Sequence, residues 1–191
     1  ELRRERPAWP ERTWDISEFR LQLTLRNLKR RRTRVLNVEL VDYPGERLLD
    51  MPLLRRDYAA WSDEVTREAA SSPKNNLSAD WLGRCEALPA GAGPADDAAD
   101  ELVAAYRDYV SRCRERGLTY VQPAAMVMGS ESRRGVAVSF CPLPSEARAR
   151  VPRLAAWFQE RYDAYVRAYV RPFFAAAARC TRQIVLVDVL K

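Results

Sequence analysis

Histidine is missing from all 191 residues. Its absence excludes imidazole acid–base chemistry, histidine-based triads and histidine-containing zinc sites. The four cysteines, Cys85, Cys113, Cys141 and Cys180, form no C-x-x-C pair. They are therefore expected to be free, partly buried thiols in a reducing cytoplasm rather than metal ligands or a disulfide framework. No apolar run approaches the roughly 20 residues a membrane span needs, and the opening "ELRRERPAWP" lacks the apolar stretch of a signal peptide. What remains has the composition of an ordinary globular chain, 47% hydrophobic and 30% charged. Its length suffices for one domain, or a small domain with an insertion, with a sizeable core.

The net charge of +6 is local. Residues 1–34 hold eleven Lys/Arg against five Asp/Glu, and the rest hold twenty-one of each. One basic end, not a uniformly basic surface, is the result. Five of those eleven lie in "KRRRTR", Lys29 to Arg34. A solvated turn is the first reading, contact with acidic lipid or an acidic partner the second. Nucleic acid ranks last, because no aromatic is interleaved for base stacking.

"DISEFRLQLTLR" (15–26) alternates, with Phe19, Leu21, Leu23 and Leu25 on one face, which predicts a half-exposed strand. "VLNVELVD" (35–42) predicts a second, with Leu36, Val38 and Leu40 together, so an antiparallel hairpin is expected. Helical spacing follows through Leu53, Leu54, Tyr58, Trp61 and Val65, with Pro52 near the helix start. A short helix capped by Ser78 comes next, and then one over Asp96–Arg116 closed by Gly117. Residues 118–145 read as loop with one short hairpin from "AAMVM" and "VAVSF". From Arg148 a long helix carries Leu154, Trp157, Phe158, Tyr162, Tyr165, Tyr169 and Phe173 as a core stripe, with Pro172 expected to kink or end it. The closing "IVLVDVL" (184–190) is apolar on both faces, as in a covered parallel strand.

The strand over 35–42 ends "VDYPGE". A carboxylate at a strand's carboxyl end suits a hard cation. A glycine three residues later lets backbone approach a phosphate closely. Alone, Asp-x-x-Gly also fits a plain turn with a capping acid. Four stretches carry more: "WPERTWDISEFRLQL", "VELVDYPGERLLDMPLLRRDYAAWS", "RYDAYVRAYVRPFF" and "RQIVLVDVL". In order, and over nearly the whole chain, they resemble the YcjX-like family of bacterial stress-associated proteins, P-loop NTPases of the GTPase type.

The resemblance implies an α/β fold: part of a P-loop GTPase-like domain with an antiparallel hairpin, a central parallel strand and a large, mostly helical insertion. Residues 1–50 would be the core hairpin and switch region, 51–180 the insertion and 181–191 the returning strand. It implies that Asp42 serves a Mg2+ ion and that the Gly45 N–H meets the terminal phosphate of GTP. Thr13 would be either a magnesium-ligating switch threonine or a strand-entry cap. Glu46 would be a general base, a brake on hydrolysis, or merely a helix-start acid. Asp188 would be structural.

The patterns G-x-x-x-x-G-K-[ST] and [NT]-K-x-D, which grip phosphates and read guanine, are missing from the chain. It is therefore expected to be an internal portion that does not bind or hydrolyse nucleotide alone. A cytoplasmic location, or one peripheral to the inner membrane with a membrane-protein partner, goes with the family. Two rivals stand beside this: a non-enzymatic helical interaction module, and an anionic-lipid or nucleic-acid binder acting through the basic turn.

Overall fold

A computed structural model describes residues 16–27, 32–94, 97–118, 120–128 and 138–184. Thr13, the basic residues Lys29 to Arg31, Asp188 and all but the first residue of the closing apolar run lie outside them. Ile184, that first residue, is exposed. The chain divides into two compact units, Glu1–Arg47 and Leu48–Lys191.

In the first unit, β1 (Ser17–Asn27) pairs antiparallel with β2 (Arg32–Asp42). Both strands begin and end where alternation of side-chain type predicts, within a few residues. Their register sorts the two faces. Phe19 lies opposite Leu40, Leu21 opposite Val38 and Leu23 opposite Leu36. On the other face Arg20 meets Glu39 at 3.0 Å and the Gln22 side-chain amide donates to Asn37 Oδ1 at 3.2 Å. The apolar face is nonetheless open: Phe19 is 59% and Leu23 41% exposed.

After β2 the backbone enters a 3-10 segment, Gly45–Arg55, rather than an α-helix. Pro52 is the reason. It sits inside this segment and not at a helix start, and its missing N–H and fixed ring oppose an α-helical interior. Helix α1 (Tyr58–Ala69) starts only at Asp57, whose carboxylate accepts from Ala60 N at 2.8 Å. α2 (Asn75–Ala87) begins earlier than expected, so Ser78 is not its cap. The Ser78 hydroxyl instead donates to Ala69 O at 2.8 Å, tying α2 to the end of α1. α3 (Ala98–Glu115) ends at Gly117 with φ +74°, a conformation that favours glycine.

"AAMVM" is a short buried helix, α4 (Ala124–Met128), and not a hairpin strand. With no polar residue to alternate, the run is legible as either element, and burial on all sides suits a helix turn within a core. The expected long helix is broken into α5 (Ser145–Arg150), α6 (Pro152–Tyr165), a π-helical turn Val166–Val170 and α7 (Arg171–Ala177). The π turn ends two residues before Pro172, absorbing the carbonyl that the proline ring would strike.

The core of the second unit is aromatic. The rings of Tyr58, Tyr106, Phe140 and Tyr162 lie 5.2–6.5 Å from that of the fully buried Trp61. Trp81 stacks on Tyr109 at 5.4 Å. Buried hydroxyls then reach loop carbonyls: Tyr58 donates to Cys141 O at 2.8 Å and Tyr162 to Arg56 O at 2.9 Å. Each tyrosine thus fills the core with its ring and satisfies a backbone acceptor with its tip.

Candidate functional site

The rim of the hairpin is built by register. Asp42 is the last residue of β2, opposite Ser17, and exposed. It continues the row of Leu36, Val38 and Leu40, so the apolar face of β2 ends on a carboxylate. Pro44 follows, and its carbonyl accepts from Arg47 N at 3.1 Å, turning the chain into the 3-10 segment. Gly45, exposed, and Glu46, half-buried, form the segment's first turn.

Among the described residues nothing requires glycine at 45. Its φ is not positive, and a Cβ built there would meet no atom within 4 Å. Asp42, Gly45 and Glu46 are therefore brought together on one short turn, as their spacing implies; Thr13 lies outside the described residues. Among the described residues no three Cys, Asp or Glu side chains group as an all-protein metal cage. A cation shared with phosphate oxygens needs only one or two carboxylates, and exposed Asp42 offers one.

Arg32, the first described residue of the basic run, is remote from this rim. Arg32 pairs with Asn27, ten residues along the ladder from the Ser17–Asp42 pair, or about 33 Å at ~3.3 Å per residue.

The second unit holds a polar cluster that sequence reading missed. Asp50, 2% exposed, accepts from Ala124 N at 2.9 Å and from the Tyr165 hydroxyl at 2.5 Å. Burial, and then the neighbouring Asp50 carboxylate, push the Tyr165 hydroxyl well above its ordinary range, so it stays protonated and donates. The Gln122 side chain donates to Leu49 O and accepts from Trp61 Nε1 at 3.1 Å. Tyr106 donates to Gln122 O at 2.5 Å. The available signal was Asp50 itself, an acid lodged in the apolar run "RLLDMPLL".

The buried thiols are held protonated. Cys85, Cys113 and Cys141 are buried and Cys180 half-buried, all free. Burial pushes the Cys85 thiol up to about 12, far from a reactive thiolate. No helix among the described residues is long and apolar enough to cross a membrane.

The model of the YcjX-like family, DUF463, matches residues 1–191. A protein of Escherichia coli (strain K12) named Ras-like GTPase YcjX is 35% identical over 201 residues, covering 97% of this chain and 43% of that protein. One of the same name from Shewanella oneidensis (strain MR-1) is 31% identical over 197 residues, covering 95% of this chain and 41% of that protein. The chain thus spans about two fifths of the length of these curated relatives.

Proposed function

Because the chain belongs to the YcjX-like family, we propose that it is the switch-bearing and helical portion of a P-loop GTPase. Residues 1–50 are its core hairpin, 51–180 its helical insertion and 181–191 a returning parallel strand. The observation that carries this reading is the rim of β2: an exposed carboxylate, then at three residues a glycine that no internal contact or backbone angle requires.

In this reading Asp42 and Thr13 would be the residues of this chain that hold Mg2+. The Gly45 N–H donates to the terminal phosphate of GTP. Glu46 orients the attacking water or takes its proton. Magnesium supplies neutralisation of the charge that develops on the phosphates. The chain lacks the backbone cradle and lysine that provide most of the grip, and it does not hold nucleotide alone. In the whole protein the nucleotide state is a switch, read by a partner in the bacterial envelope stress response. That places the protein in the cytoplasm or at the inner-membrane surface, with guanine nucleotide as ligand and a membrane protein as the partner class.

Hydrolysis assays on the full-length protein test this. The wild type is expected to turn over GTP only with magnesium, and Asp42→Ala to fall to the background rate. Unchanged turnover in the variant removes Asp42 from the site. A wild type that neither binds nor hydrolyses GTP overturns the reading.

A further inference from the structure

The 3-10 segment Gly45–Arg55 is eleven residues long. Runs of this helix beyond three or four residues are uncommon because its hydrogen bonds are poorly aligned. Something other than its own backbone must hold it, and the buried polar cluster does. Asp50 stands five residues after Gly45 in the same segment. Its two carboxylate oxygens take the Ala124 N–H and the Tyr165 hydroxyl, and the carbonyl of its neighbour Leu49 takes the Gln122 amide.

The bonds run both ways. α4 has only five residues, too few to be stable alone, and its first amides are unsatisfied by any helix partner. Asp50 meets that of Ala124, and the Tyr165 oxygen meets that of Ala125 at 3.4 Å. Tyr165 in turn is the last residue of α6, immediately before the π turn. Asp50 thus joins an unusually long 3-10 segment, the start of a marginal helix, and the end of α6 at the irregular turn.

We propose that Asp50 is a positioning residue that couples the nucleotide state met at Gly45 to α4 and the α6/π-turn junction. It rests on the GTPase reading above and deepens it. The helical unit then has an internal input, and α4 and the π turn are where nucleotide state is expressed. Movement of Gly45 toward a terminal phosphate shifts the segment's far half; the carboxylate cannot follow without releasing Ala124 or Tyr165, each buried and costly to leave unpaired.

Hydrogen exchange on the full-length protein, loaded with GDP or with a non-hydrolysable GTP analogue, tests this. In the wild type, exchange over residues 124–128 and 162–170 is expected to differ between the two states by about fivefold or more, the lower range of allosteric coupling. In Asp50→Asn and in Tyr165→Phe that difference falls below about twofold, while affinity for either nucleotide stays within about threefold of wild type. A purely structural Asp50 would raise exchange equally in both states and leave the difference intact. If Asp50→Asn does not fold, Tyr165→Phe, which deletes one hydroxyl, decides. A wild type that binds both nucleotides without the difference, or variants that keep it, overturn the coupling and leave the GTPase reading standing. A wild type that binds neither nucleotide overturns both.

Discussion

The hairpin and the helical unit use the same kinds of apolar residue to opposite ends. In the helical unit Trp61, Trp81, Cys85, Leu154 and Phe158 are wholly buried, and buried tyrosine hydroxyls find backbone acceptors. Its stability is internal. In the hairpin, backbone pairing is complete along eleven residues of each strand, yet Phe19, Leu25, Leu36 and Leu40 remain about half exposed. A two-stranded sheet is marginal by itself. The difference teaches that hydrogen bonding sets the hairpin's geometry while a covered face is what would set its stability. The residues that the proposed function assigns to phosphate and magnesium stand at the rim of this less self-sufficient element.

The largest effect separates the two regions. Trp61→Ala in the full-length protein should cost about 3–5 kcal/mol of stability, since it empties the centre of the aromatic core. Urea unfolding followed by circular dichroism at helix wavelengths measures it. Leu23→Ala, at a position 41% exposed, should cost under about 1 kcal/mol. A Leu23→Ala cost equal to that of Trp61→Ala would break the contrast, because it would show this face covered as tightly as a core.

A smaller effect comes from pH. Burial raises the hydroxyls of Tyr58, Tyr106 and Tyr165 and the thiols of Cys85 and Cys141 above their ordinary values of 10.0 and 9.0. Below pH 9 both folded and unfolded chains keep these protons, so stability should be flat on their account. Above it the unfolded chain releases them while the folded chain does not. Stability therefore falls with rising pH from about 9, by up to about 1.4 kcal/mol per pH unit for each group released. For Cys85 the fall continues to its folded value of about 12. Unfolding free energies at pH 7, 9 and 10.5 check the sign; rising stability over that range would contradict it.

Much of the hairpin was legible because alternation has one reading: the strand faces, their pairing and the placing of Asp42, Gly45 and Glu46 on one turn all follow from it. The core stripes of α3 and of residues 154–173 were legible for the equivalent reason at helical period. Local rules failed where a distant partner decides. Ser78 has the chemistry of a cap, but the carbonyl of Ala69 takes its hydroxyl. Pro52 permits a helix start, but it falls where the chain runs as a 3-10 segment pinned through Leu49 and Asp50. Asp50 shows the limit most clearly. No local rule gives an acid within "RLLDMPLL" a partner; the approach of Ala124 and Tyr165, 74 and 115 residues away, does.

Gly45→Ala is the most direct test that this rim faces a terminal phosphate. The added methyl has open space and no forbidden backbone angle, so the fold should be unaffected, and any change reports on what approaches from outside. The expected result in the full-length protein is a fall of about tenfold in the ratio of GTP-analogue to GDP affinity, the loss of about one hydrogen bond to a charged group. Affinity for GDP should stay within about twofold, the margin of a bond never made. An unchanged ratio, with both nucleotides bound as in the wild type, would contradict the assignment of Gly45 to the phosphate.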